Sequence, residues 1–496
     1  MGLASRFFVV CWLVPSIASR ISPVVLIPGD GGNQLEARLN KVALDTSSTF
    51  ASASASSASS PTTASAASST SSSTPPRLDS PPLISSLLFA SNAMKTVAES
   101  GCPVKRDWYR LWLDVWQLAV PSSLACWADN IEIHYDPKTG KNSNTPGVET
   151  RVPGWGVTAT VEYLDPSWSA WILKDAGNYF GSLVSAMVDS WGYERGISVR
   201  AAPFDFRFAP PSQTDYFARL KALIEETRAL NAGSPVTLIS HSLGGLFALH
   251  FLDKVVTAEW KKENVALFLP IATPWAGTAL AFNIFAAGYD MGISAVDPKL
   301  IRSEQRSYET AAQLLPRPQL WRPNDAVFLS TPDRNFTAAN YSEFFEALRF
   351  PVGKINLDNI DDGRRRGFRD RRPEIDPRHG NGEDDNNIIN NNNNVSGEGL
   401  AFPGVKVVCI YGVGHPTPSR LVYDRDVDFL AGEQPSRYDF DDGDGTVNVQ
   451  SLRLCESWKS LSTPFDVEVR IFDGIDHLDI IKDQRVFDFL ESIFRQ

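Results

Sequence analysis

Histidine is scarce in this chain, with 6 in 496 residues, so any chemistry that needs an imidazole has few candidates. Cysteine is scarcer, at 5, and no C-x-x-C pair occurs, which argues against a bound metal. Positive charge is in deficit. Lys and Arg total 47 against 58 Asp and Glu, a net charge of −11 and the opposite of the basic face that a nucleic-acid partner needs. After the first 20 residues no run of 18 apolar residues appears, so no mature membrane span is expected. What is present is 43% hydrophobic residues, with 13 Trp and 28 Phe, enough for a large packed core. The length predicts two to four domains at about 150 residues each. Collagen, coiled coil and a wholly disordered chain are excluded.

Arg6, the apolar run Phe7 to Pro15 and the small-x-small triplet Ser16-Ile17-Ala18 read as a signal peptide over 1–18. Its removal takes away Cys11 and leaves Cys102, Cys126, Cys409 and Cys455, an even number suited to an oxidising compartment. Three pairings are open. Cys102–Cys126 with Cys409–Cys455 closes a local loop in each case. The N-x-S/T triplets at Asn335, Asn340 and Asn394 are glycosylation candidates that fit secretion.

Two segments are biased in composition. From Thr46 to Thr74 only Phe50 and Pro61 interrupt Ser, Thr and Ala, and a surface insertion without a core is expected over 45–93. A second is expected over 353–399, which holds Arg364-Arg365-Arg366 and the run Asn390 to Asn394. The basic cluster Arg364 to Arg372 reads as a solvated charge run rather than a lipid patch.

Elsewhere short β-branched runs alternate with helical patterns. Val24–Ile27, Val199–Ala201, Val236–Ile239, Ala266–Pro270, Val405–Tyr411 and Val467–Phe472 predict strands. Asp215–Leu230, Leu243–Val256 and Gln484–Phe494 predict helices. This alternation implies an α/β fold with a mostly parallel sheet covered on both faces.

Ser240-His241-Ser242-Leu243-Gly244 directly follows a strand and opens a helix. It is a G-x-S-x-G elbow with Ser in place of the first Gly, which proposes Ser242 as nucleophile. An elbow nucleophile needs an acid and then a histidine later in the chain. His477 follows the last strand and precedes the terminal helix, whereas His415 precedes every suitable acid. Asp444, between Gly443 and Gly445, is the favoured acid, ahead of Asp441 and Asp442. Its carboxylate would fix the imidazole tautomer. His241, flanking Ser242, must point away from the hydroxyl and reads as a packing residue or a turn contact. A calcium loop at Asp442-Gly443-Asp444 lacks the further ligands at EF-hand spacing. No metal and no cofactor is expected.

These residues resemble the lecithin:cholesterol acyltransferase and lysosomal phospholipase A family. The resemblance is carried by Val24 to Ala37, Trp112-Leu113-Asp114, Cys126-Trp127, Ala202 to Arg207, Thr273 to Gly277, Tyr411 to Gly414, Gly443 to Val447 and Gly474 to Leu478. It implies an α/β-hydrolase fold with a cap or lid region and a disulfide-closed lipid-binding subdomain. The family's triad maps onto Ser242, Asp444 and His477, and its disulfides onto Cys102–Cys126 and Cys409–Cys455. Its backbone oxyanion donors map onto Asp30 and Leu243, and its lid onto 286–306. The core is then expected over 19–44, 201–352 and 400–496, with the lipid-binding and cap region over 94–200. Departures are Ser240, His415 and the two insertions.

Trp108, Trp112 and Trp116 recur at i, i+4 and i+8, so on a helix they would share one face suited to lipid. Trp112, by its place in the family motif, would line the acyl-chain pocket. The expected activity is transfer of an acyl chain from a glycerophospholipid, through an acyl-enzyme, to water or to a lipid alcohol such as a sterol or ceramide. Its partners would be a membrane or lipid-particle surface, and its location a secretory-pathway lumen, an acidic organelle or the exterior. The rivals are a plain phospholipase A or neutral lipase, and an inactive lipid-binding surface protein.

Overall fold

Val24–Ile27 (β1) is buried on both faces, four apolar residues in a row, and this places it inside a sheet rather than on a surface. The computed structural model describes residues 21–41, 101–167, 177–291, 296–321, 326–369 and 400–495. The expected signal peptide, the 45–93 insertion, 370–399 of the second insertion and Asn394 lie outside the described residues.

The central sheet has six strands, all parallel. After β1 come Val199–Ala201 (β2), Val236–His241 (β3), Val265–Ile271 (β4), Val407–Val413 (β5) and Val467–Asp473 (β6). Their spatial order is β6-β5-β4-β3-β1-β2. The chain thus fills one edge first and then crosses back over β1 to build outwards. Each predicted strand appears, Val24–Ile27 and Val199–Ala201 with the expected bounds and the other four lengthened or shifted by a residue or two. Disulfides join Cys102 to Cys126 and Cys409 to Cys455. The second staples the interior of β5 to the 3-10 turn Arg453–Ser460.

Helices cover the sheet. Thr214–Leu230 buries Tyr216, Phe217, Leu220, Leu223, Ile224 and Thr227, one face at helical spacing. Leu243–His250 is buried almost all round and continues as a π-helical turn, Phe251–Val255. Gln484–Phe494 starts at an Asp483 cap and buries Val486, Phe487, Leu490 and Phe494. No described helix is long and apolar enough to cross a membrane.

Three expectations need correction. The tryptophans do not share a helix. Lys105–Trp112 is a strand paired with Leu35–Asn40, and the chain turns before the short helix Val115–Ala119. Alternating burial at the end of that strand, with Tyr109 and Leu111 inward, is a period-two pattern that the i, i+4 spacing of Trp masked. The second insertion does not begin at Gly353. Pro351–Arg369 is a helix whose Asn356, Leu357 and Ile360 are buried. The expected lid also contains an anchored helix, Pro298–Ser307, which packs on Pro121–Ile131. Its inward residues are Ile301, Arg302, Glu304, Gln305 and Ser307, mostly polar, so no apolar period announced it. Arg302 is held there by the carbonyls of Phe285 and Phe429, at 3.1 and 2.6 Å.

Candidate active site

β3 ends at the sheet's carboxyl edge, and Ser242 follows with φ 53° and ψ −129°. That conformation is disfavoured for a residue with a β-carbon and marks a strained elbow. Two bonds hold it: Ser242 N–H donates to Ile271 C=O at 2.8 Å, and Gly245 N–H donates to Ser242 C=O at 2.9 Å. The residue two beyond the serine must be glycine. A β-carbon at Gly244 would lie 2.2 Å from Pro28 O and 2.5 Å from Ile27 O, the backbone where β1 ends. Ser240 fills the other small position, wholly buried.

His477 and Asp444 come from the loops after β6 and after the strand Arg437–Gly443. His477 Nε2 lies 2.8 Å from Ser242 Oγ, and His477 Nδ1 lies 2.7 Å from Asp444 Oδ2. A carboxylate oxygen only accepts, so Nδ1 carries the proton and Nε2 is free to accept from the serine hydroxyl. The other Asp444 oxygen accepts from Thr446 N–H and Val447 N–H at 3.1 and 2.7 Å. Asp444 is fully buried and His477 nearly so. The structure therefore brings Ser242, His477 and Asp444 into one hydrogen-bonded line. Of the alternatives, Asp441 and Asp442 are exposed, and Asp442 accepts from Gly414 N–H instead. His415 opens the strand His415–Val422 and its backbone bridges to Asp444, but its Nε2 has no hydrogen-bond partner among the described residues.

The turn after β1 closes on the elbow. A β-carbon at Gly29 would lie 2.8 Å from Ser242 Cβ, so the Asp30 peptide sits beside Ser242, while Leu243 is the first residue of the following helix. N–H groups at a helix start and a tight turn suit developing negative charge. Asp30 is exposed at the surface, although many protein atoms surround its carboxyl. That loss of water pushes its carboxyl up to about 7, against a bond from Gly31 N–H that lowers it.

The three tryptophans part company. Trp112 lies against the turn, with its ring near Trp127 and Phe206 at centroid distances of 6.1 and 5.8 Å. Trp108 is sandwiched by the guanidinium groups of Arg38 and Arg151, at 5.2 and 4.3 Å. Trp116 stands 63% exposed on its short helix.

Sequence reasoning missed Tyr179. It is buried, its hydroxyl accepts from Gly29 N–H at 2.8 Å, and it lies 2.5 Å from His241 Nδ1. Nothing in the local sequence Gly177-Asn178-Tyr179-Phe180 signals this, because the contact spans 150 residues.

Residues 108–484 match the family model described as lecithin:cholesterol acyltransferase. The chain is 30% identical over 478 residues to a lysosomal phospholipase A and acyltransferase of Canis lupus familiaris, covering 96% of this chain and 92% of that one. It is 33% identical over 478 residues to a phosphatidylcholine-sterol acyltransferase of Mus musculus, covering 96% and 86%. It is 32% identical over 476 residues to lecithin-cholesterol acyltransferase-like 1 of Arabidopsis thaliana, covering 95% and 88%.

Proposed function

This chain belongs to the lecithin:cholesterol acyltransferase family and is an acyl-transferring phospholipid hydrolase; within that frame we propose that Ser242 is its nucleophile, His477 its base and Asp444 the group that orients the base. The observation that carries this is the unbroken line Ser242 Oγ–His477–Asp444 at 2.8 and 2.7 Å on a strained elbow. Ser242 Oγ attacks the ester carbonyl while His477 Nε2 takes its proton. The N–H groups of Asp30 and Leu243 hold the charge that forms on the carbonyl oxygen. His477 then returns the proton to the departing alkoxide, lysophospholipid leaves, and the acyl group stays on Ser242. The acyl-enzyme is released by water, giving fatty acid, or by a lipid alcohol, giving a new ester.

The acceptor, sterol or ceramide beside water, belongs to this reading, as does docking on a phospholipid surface through Trp116 and its neighbours. So do a signal peptide over 1–18, residence in a secretory or acidic lumen, and glycans at Asn335 and Asn340. One experiment tests the core of it. Wild type and Ser242→Ala are incubated with phosphatidylcholine vesicles, with and without a sterol, and free fatty acid is resolved from sterol ester. Wild type should release fatty acid and, with sterol present, form ester, while Ser242→Ala does neither. Turnover that survives in Ser242→Ala would refute the assignment.

A further inference from the structure

Behind the elbow runs a second hydrogen-bonded line that the acyl-transfer chemistry does not use. Gly29 N–H donates to Tyr179 Oη at 2.8 Å. The tyrosine hydroxyl is 2.5 Å from His241 Nδ1, and His241 Nε2 is 2.8 Å from the carbonyl oxygen of His477. The direction of every proton is fixed by its partners. A carbonyl only accepts, so His241 Nε2 carries hydrogen and Nδ1, in a neutral ring, accepts. The tyrosine oxygen accepts from Gly29 and donates its own hydrogen to His241. The ring is neutral because burial holds His241 well below the ordinary histidine range, and the nearby His477 and Lys482 push it the same way. Tyr179 and His241 are buried, and Phe180 packs edge-on against both.

We propose that Tyr179 and His241 are positioning residues that lock the turn carrying one oxyanion donor to the backbone of the catalytic base. The inference rests on the assignment of Ser242, His477 and Asp444 made above. One end of the line is the Pro28–Gly29 peptide, one residue before the Asp30 N–H; the other is the carbonyl of His477. His477 is thereby held twice through its main chain, since its N–H also donates to Asp444 C=O at 2.9 Å. The relay leaves little room for error at the turn, where a β-carbon on Gly29 would sit 2.9 Å from Tyr179 Oη. Its neutrality matters as well. The His241 and His477 rings lie 5.0 Å apart between centroids, and His477 becomes positively charged when it takes the serine proton. A charged His241 would oppose that step, and a neutral donor aimed at the His477 carbonyl does not. Displacing a reacting group by about 1 Å can lower a rate about a hundredfold, so such a relay should act on kcat rather than on binding.

The test compares Tyr179→Phe, His241→Leu, His241→Gln and the double variant Tyr179→Phe/His241→Leu with wild type and Ser242→Ala. kcat and KM are measured on a soluble short-chain ester, which removes any effect of lipid docking, and melting is followed to confirm folding. Tyr179→Phe and His241→Leu should each lower kcat about tenfold or more, with KM within about twofold. Glutamine offers one donor and one acceptor, so His241→Gln should recover most of the kcat lost in His241→Leu. Because the two residues act as one unit, the double variant should be no slower than the slower single. Wild-type kcat in Tyr179→Phe and His241→Leu, losses that multiply in the double variant, or a glutamine no better than leucine would each overturn the relay. If Tyr179→Phe does not fold, the leucine and glutamine pair decides alone. An active Ser242→Ala overturns the triad assignment itself, whereas an inactive one beside a fast Tyr179→Phe removes only the relay.

Discussion

Trp112 Nε1–H donates to the carbonyl oxygen of Gly31 at 2.7 Å, which joins the segment following the Cys102–Cys126 loop's first cysteine to the turn beside Ser242. The ring leaves no space there: a β-carbon at Gly31 would lie 2.9 Å from it. The Trp112 segment and the turn after β1 are therefore one mechanical piece. Trp112→Phe keeps most of the ring and loses the bond. It should lower kcat on a soluble ester several-fold, with a small fall in melting temperature, as read by steady-state kinetics and thermal denaturation. Unchanged kcat would uncouple the two.

Asp444→Asn should keep the fold and lower kcat about ten-thousandfold, because the amide can donate to His477 Nδ1 and so stabilise the wrong tautomer. Circular dichroism checks the fold and ester hydrolysis the rate. A variant within tenfold of wild type would point to another acid.

Asp30 sets an upper pH limit. With its carboxyl raised to about 7, it would be neutral below that pH and ionised above it, beside the place proposed for the oxyanion. Ionisation there opposes the transition state, so the rate should fall as pH rises through about 7. In Asp30→Asn the alkaline limb should move upward with activity retained, and superimposable pH–rate profiles would sink the idea.

Glu304 gives a stability prediction of definite sign. Burial raises its carboxyl well above the usual range, and one of its oxygens has no hydrogen-bond partner among the described residues. Above about pH 4 the unfolded chain has released this proton while the native state keeps it, so the contribution of Glu304 to stability falls as pH rises. Glu304→Gln removes that dependence. Measured by melting temperature from pH 5 to pH 8, the variant should gain steadily on wild type. A constant difference would mean that Glu304 is ionised throughout.

Trp116→Ala should weaken binding to phosphatidylcholine vesicles several-fold, as read by co-sedimentation, while melting temperature and soluble-ester turnover stay unchanged. An equal loss on the soluble ester would place Trp116 in the site rather than at the lipid surface.

The sheet was legible because its strands are continuous apolar runs, a signal that does not depend on distant contacts. The order elbow, acid, histidine was legible for a similar reason: each lies at the end of a strand and in a turn with glycine. What escaped was carried by polar or aromatic residues whose partners are remote. Pro298–Ser307 buries Arg302 and Glu304 instead of leucines. Tyr179 meets Gly29 across 150 positions. The Trp108, Trp112 and Trp116 spacing pointed to a helix, yet β-pairing with Leu35–Asn40 overrode it. The sequence marks His241 for packing or a turn contact, but it does not reveal that both ring nitrogens are matched by remote partners.

The two cystine bridges each close within one part of the chain, Cys102 with Cys126 and Cys409 with Cys455. A single cut anywhere between residues 370 and 399 would therefore free two polypeptides in a denaturing gel even without reductant. In the native protein those pieces would remain mated, because β5 pairs with β4 along the middle of the sheet. One piece would bring Ser242 and the other Asp444 and His477, so a nicked molecule would work only as a complementing pair, and its activity would report reassembly of the two fragments.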